Sequence, residues 1–339
     1  MSKREPGLDL LRCIALLFVV TFHSFLNNGY YSEPQVGASM WLAGSFRWLS
    51  VSCIGLFLML TGYLKCEKTD IKACYRGLLP VLIAYFLAAI ISIPIRHFLF
   101  GDTQSFSTWL TRLFSFSAVY YGWYVEMYIG LVLLIPFVNM VLERLQDAKA
   151  LLGLCAVMLV ITALPGATPI VVFPDYWRVI YPLTYYILGA AVRKLQPRIH
   201  PLIGIFCAVS VSAVLGAATV LSTDSKLSEA LVWEFADLWI ACIVVCLFVS
   251  LYRIRIPASM GRILAFCASG CYGGYLLSHL FDAWCYKLLP SWRTPDRYAL
   301  VFFCITLPIF TVSVLLGAML ERISNRLSLH RKGASKCLR

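Results

Sequence analysis

Ten apolar runs follow one another along the chain, and the first constrains the fold most. Residues 8–26 read LDLLRCIALLFVVTFHSFL, close to the about 20 apolar residues that a helix needs to cross a bilayer. Yet this run carries Asp9, Arg12 and His23. An ionisable group inside a membrane span is costly and usually faces a partner or a wet cavity. Arg12 and His23 are eleven positions apart. That is about three helical turns, so they share a face about 16 Å apart along the axis, with Cys13, Leu16, Val19 and Val20 between them. Asp9 and Arg12 have i,i+3 spacing, which suits an ion pair at the headgroup level, and Arg12 can snorkel from there. His23 lies deeper, where a membrane histidine is a functional candidate; the plainer alternative is a hydrogen bond to a neighbouring helix.

The other runs fall at residues 41–64, 78–100, 121–142, 150–164, 177–192, 200–221, 227–252, 263–288 and 298–322. Composition agrees: 60% of the chain is hydrophobic and 14% charged, against roughly 25% charged in a soluble domain. The expected fold is all-α, a polytopic membrane protein of about ten helices forming a single domain over residues 1–339, with a basic tail over 323–339. No cleavable signal pattern is expected, because the first run holds an arginine and lacks a small-residue exit site. The 13 cysteines show no zinc-type spacing with histidine partners, so no metal site is expected. Cys242/Cys246 and Cys267/Cys271 read as soft packing groups at helix contacts.

Ten crossings put both ends of the chain on one side, and the basic residues say which. Twenty lysines and arginines fall on the amino-terminal side and seven on the other, with Arg12 and Arg47 inside runs. By the positive-inside rule both termini are cytoplasmic. The net charge of +12 is then a topology signal and a lipid contact rather than a nucleic-acid footprint. This orientation brings His23, Arg47, Glu126, Glu234 and His279 to similar depths in the outer half. One buried polar site would explain that coincidence; separate helix–helix hydrogen bonds are the alternative. Trp41, Trp48, Trp109, Trp123, Trp177, Trp233, Trp284 and Trp292 also map to the outer half, with Trp239 near mid-depth. An anchoring belt would occupy both interfaces. The bias therefore suggests that some of these rings line a vestibule suited to a sugar, the alternative for each being a belt or packing role.

Five stretches give the chain a family likeness: Arg12 and His23 within LDLLRCIALLFVVTFHS, GLFLMLTGYL from Gly55, GWYVEMYIGLVLLIPFVN from Gly122, YYILGA from Tyr185 and CYGGYLLSH from Cys271. Together, and in this order, the chain resembles the acyltransferase-3 family of bacterial integral-membrane acyltransferases. The resemblance implies transfer of an acyl group, commonly acetyl, from cytoplasmic acyl-CoA to a hydroxyl of an extracytoplasmic acceptor, often a surface glycan. Acyl-CoA (acetyl-CoA in the common case) would be a co-substrate, with no permanently bound cofactor, and the location would be a bacterial cell membrane. Arg12 suits the phosphates of the donor. His23 suits general-base work on the acceptor hydroxyl. Glu126 would orient the imidazole or bind acceptor, and Trp123, Tyr124, Arg47 and His279 are candidates for the acceptor site. One departure stands out: many members carry a histidine three positions after the tyrosine of the fifth stretch, where this chain has Ser278, with His279 one further on. That offset turns a helical side chain by about 100°. A multi-span transporter with intramembrane charges is the competing reading.

Overall fold

The computed structural model describes residues 5–167, 173–221, 235–287 and 297–337. Lys226, Glu229, Trp233, Glu234, Trp292 and Arg293 lie outside the described residues. The α-helices are α1 (Pro6–Asn27), α2 (Gly37–Val51), α3 (Cys53–Lys65), α4 (Ile71–Arg76), α5 (Leu79–Phe100), α6 (Phe106–Phe114), α7 (Trp123–Arg144), α8 (Ala148–Thr162), α9 (Leu164–Ala167), α10 (Tyr181–Leu195), α11 (Pro201–Leu221), α12 (Leu238–Leu251), α13 (Ala258–Ser269), α14 (Cys271–Lys287) and α15 (Tyr298–Cys337). Among the described residues there is no strand.

Among the described residues six segments are long and apolar enough to cross a membrane: α1, Gly37–Lys65, Ile71–Phe100, α7, α11 and Phe303–Leu327. The pair α13 and α14 makes a seventh if it is one broken span, since the two helices are bent by 65°. The run at 263–288 is thus not one continuous helix. Its break falls at Gly270, which packs against the backbone of Val314 and Ala318 on α15. The runs at 150–164 and 227–252 contain α8 and α12, of 15 and 14 residues, whose rise of about 21–23 Å is less than the hydrocarbon core. Between the runs at 78–100 and 121–142 lies α6. Ser105 caps it by accepting from the Thr108 N–H, the side-chain acceptor that an orphan first-turn donor needs.

Helix α1 sits at the centre and packs against α2, α3, α12, α13, α14 and α15. Pro6 opens it and Asp9 lies in its first turn, where a fixed φ and a negative charge both suit a helix start. Tyr63 at the end of α3 donates to Glu5 at the start of α1, so the two helices run antiparallel.

The second and fourth family-like stretches meet directly. A Cβ on Gly62 would lie 2.0 Å from the Tyr186 carbonyl oxygen, and one on Gly189 would lie 2.1 Å from that of Met59. Only glycine allows α3 and α10 this approach, the small-residue packing that brings membrane helices together. The third stretch joins them through Asn139. Its amide donates to the carbonyls of Lys65 and Lys68, each at 2.7 Å, and its oxygen accepts from the Tyr186 hydroxyl at 2.8 Å. Asn139 thereby ties α7 to the last residue of α3 and to the turn that follows it.

Candidate active site

His23 lies one turn before the end of α1 and is 7% exposed. Its imidazole lies on the ring of Tyr121, with 3.4 Å between centroids and 13° between planes. Its Nδ1 is buried with no hydrogen-bond partner. His23 also lines a cavity.

Tyr121 belongs to a loop between α6 and α7 that is tied down at several points. Arg96, near the end of α5, donates to the carbonyls of Ser117 (3.3 Å) and Ala118 (2.9 Å). Phe116 takes a left-handed backbone conformation at φ 56°. Gly122 closes the loop, because a Cβ there would stand 1.8 Å from the Phe116 carbonyl oxygen. The Tyr121 hydroxyl donates to Asp282 Oδ2 at 3.1 Å and accepts from Asn27 Nδ2 at 2.9 Å. The Tyr275 hydroxyl donates to the Tyr121 carbonyl. Next to it, Tyr120 stacks on His279, with 4.0 Å between centroids and 11° between planes. His279 Nδ1 is 3.6 Å from Asp282 Oδ1. Two tyrosine–imidazole stacks thus meet at one fully buried carboxylate.

The cavity beside His23 has a volume of about 680 Å³, within the usual range for small-molecule sites. At one end are His23, Tyr120, Tyr121 and Trp123; at the other are Glu321, Ser324 and Asn325 of α15. Along α3 its wall runs from Cys53 to Thr61, about 12 Å of helix rise. The α15 end adjoins the start of α14, where Glu321 accepts from the Gly273 N–H at 3.2 Å. Cys271, two residues earlier, donates its Sγ to the Arg12 carbonyl at 3.5 Å. The cavity therefore joins the level of Arg12 to the level of His23.

Of the expected site residues, His23, Trp123 and Tyr124 line this cavity. His279 reaches the same cluster through its stack on Tyr120, despite its offset in the sequence. Arg12 stays just outside the lining. Its Nη1 pairs with Asp9 Oδ1 at 2.7 Å and its side chain is 31% exposed. Glu126 does not join the site: it is exposed and absent from the cavity wall. The wall takes Trp123, Tyr124 and Tyr128 from α7; Glu126 is turned about 200° from Tyr124 and is not among them. Arg47 is also elsewhere, buried beyond the end of α1, where its Nε donates to the Tyr31 hydroxyl at 2.8 Å and its guanidinium lies 4.5 Å from the Trp48 ring. Among the described tryptophans only Trp123 lines the cavity.

Tyr121, Asp282, Asn27 and Tyr120 were not singled out from sequence. Asp282 carried a signal, being an acid in an apolar run three residues after a histidine. Tyr121 carried none, because aromatic residues at a span's edge are common in any membrane protein.

A family model described as "Acyltransferase domain", that of the acyltransferase-3 family, matches residues 5–318. The chain belongs to the acyltransferase-3 family. The match takes in α1 through the first half of α15, and with it the whole His23–Tyr121–Asp282 cluster. No curated protein and no solved structure matches the chain. Membership in this family, with six to seven apolar helices of spanning length among the described residues, makes the protein a multi-pass membrane acyltransferase.

Proposed function

We propose that this acyltransferase moves an acyl group, commonly acetyl, from cytoplasmic acyl-CoA to a hydroxyl of an acceptor on the far side of a bacterial cell membrane, with a surface glycan as the acceptor class. The chain acts as one domain that crosses the bilayer about ten times, with both termini cytoplasmic. The observation that carries this reading is the cavity that links the level of Arg12 to His23. An acyl thioester arm is long and thin, and such a passage suits it.

In this mechanism Arg12, at the cytoplasmic end, holds donor phosphates. Its guanidinium can leave or share Asp9, because a third of the side chain is exposed, and its planar fork fits phosphate oxygens. The acceptor enters from the end marked by Trp123 and Tyr124, whose ring faces suit the apolar face of a sugar. His23 Nε2 takes the proton of the acceptor hydroxyl as its oxygen attacks the thioester carbonyl. The C–S bond then breaks, and the imidazolium returns the proton to the departing CoA thiolate, leaving an ester and free CoA. Aromatic and aliphatic walls exclude bulk water, which favours transfer over hydrolysis.

The test uses the purified full chain in lipid nanodiscs. Added acetyl-CoA should release free thiol, faster with a simple alkyl hexoside present, and His23→Gln should abolish the acceleration. Uptake of a polar solute into vesicles with no thiol release would support a transporter instead.

A further inference from the structure

We infer that Asp282 is a positioning residue for His23, acting through the hydroxyl of Tyr121. This inference rests on the reading of His23 as the proton-transfer group. A catalytic histidine is ordinarily held by a hydrogen bond to the ring nitrogen that does not meet substrate, and that bond sets its tautomer and orientation. His23 has no such bond: its Nδ1 is buried without a partner. What holds the ring is the face of Tyr121, at 3.4 Å. A stack alone leaves a ring free to slide and turn, so the geometry of the base depends on how firmly the tyrosine is fixed.

The tyrosine is fixed through its hydroxyl and its carbonyl. The phenol oxygen accepts from Asn27 and gives its one proton to Asp282. Asn27 lies on the same helix as His23 and also donates to the His23 carbonyl at 2.8 Å. Asp282 is the link to another helix. It is fully buried, and its second oxygen accepts from the Ala283 N–H at 3.0 Å. Removing the carboxylate would strand the phenol O–H in an apolar setting, where an unpaired donor is costly. The phenol would then turn to find a partner, and the imidazole stacked on it would move. The one-residue offset of His279 has a counterpart here, because α14 reaches His23 through its acid rather than through its histidine.

The conservative variant separates positioning from charge. Asp282→Asn retains a carbonyl oxygen that can accept from Tyr121, whereas Asp282→Leu does not. Carbon-13 labelling of the histidine Cε1 positions of the full chain in nanodiscs gives a direct readout, with His23→Gln assigning the His23 resonance. The stack places this resonance upfield of the ordinary histidine range. We expect Asp282→Leu to return it to that range and Asp282→Asn to leave it upfield. Thiol release from acetyl-CoA, with water or an alkyl hexoside as acceptor, should lose about 10- to 100-fold in kcat for Asp282→Leu. KM for acetyl-CoA should not change, and Asp282→Asn should keep most of kcat. If Asp282→Leu fails to fold, Tyr121→Phe carries the same test, since it keeps the ring and loses both hydroxyl bonds. An upfield His23 resonance in Asp282→Leu or in Tyr121→Phe overturns the proposal, as does Asp282→Leu with unchanged kcat. A wild type that releases no thiol overturns the acyltransfer reading instead, and the resonance alone then decides whether Asp282 holds the stack.

Discussion

The imidazole of His23 and the phenol of Tyr121 lie face to face, 3.4 Å apart and 13° from parallel. One residue comes from α1 and the other from the loop before α7, 98 positions apart in the chain. The contact orients the ring without using either nitrogen.

If His23 is the base, His23→Gln should lower kcat by about 10²- to 10⁴-fold, the usual contribution of a positioned general base. Acetyl-CoA should still bind, which calorimetry on the purified variant would check. Turnover near the wild-type rate would make His23 structural and shift attention to His279.

Trp123 and Glu126 are three residues apart on α7, but only Trp123 meets the cavity. Trp123→Leu should raise the KM for an alkyl hexoside while leaving acetyl-CoA binding intact. Glu126→Gln should leave both unchanged. Equal losses in the two variants would place Glu126 in the reaction after all.

The glycine contact between α3 and α10 sets up a stability comparison. Gly62→Ala drives a methyl into the Tyr186 backbone and should destabilise by about 1–3 kcal/mol or more. Gly130→Ala on α7 meets nothing within 4 Å and should be neutral or slightly stabilising, since alanine favours a helix interior. Apparent melting temperatures in one detergent would rank the two.

Asp102, in the turn between α5 and α6, gives a pH dependence. Burial alone would raise its carboxyl. Hydrogen bonds from Gln104 and Arg96, with the charges of Arg96 and Arg112, outweigh burial and hold it below the usual carboxylate range. A depressed folded-state value means that its stabilisation is fully present above the unfolded value, about 3.9, and fades as pH falls through the lower folded one. The melting-temperature gap between wild type and Asp102→Asn should therefore be constant from pH 7 to about 5 and shrink below about 4. A gap that grows on acidification would reverse the sign.

Topology is open to a labelling test. With native thiols blocked or removed, Gln104→Cys should react with an impermeant maleimide in intact cells and Lys68→Cys should not. The opposite pattern would invert the charge-based orientation.

Much of this architecture was legible in the residues. Runs of apolar side chains force helices, because backbone groups in lipid must be satisfied within the segment. The motif from Arg12 to His23 required only a helical period to put both on one face. The glycines that let α3 and α10 touch, Gly62 and Gly189, stood within family-like stretches but carried no contact reading of their own. Boundaries such as the break at Gly270 and the helix Phe106–Phe114 were less visible. A single glycine is tolerated in many continuous helices, and a Ser/Thr-bearing segment reads equally well as loop.

The sequence by itself determined the class of fold, the family and the histidine worth testing, since these follow from local period, composition and motif order. Only the tertiary structure decided what surrounds that histidine. It brought in Tyr121 and Asp282, left Glu126 on the outside of α7 and placed Arg47 in a separate buried cluster. The physical reason is that depth in a membrane can be read from charge and span order, whereas the direction a side chain faces depends on how each helix is rotated against its neighbours. That rotation is set by packing between segments far apart in the chain, such as Tyr121 against His23 and Gly189 against Met59.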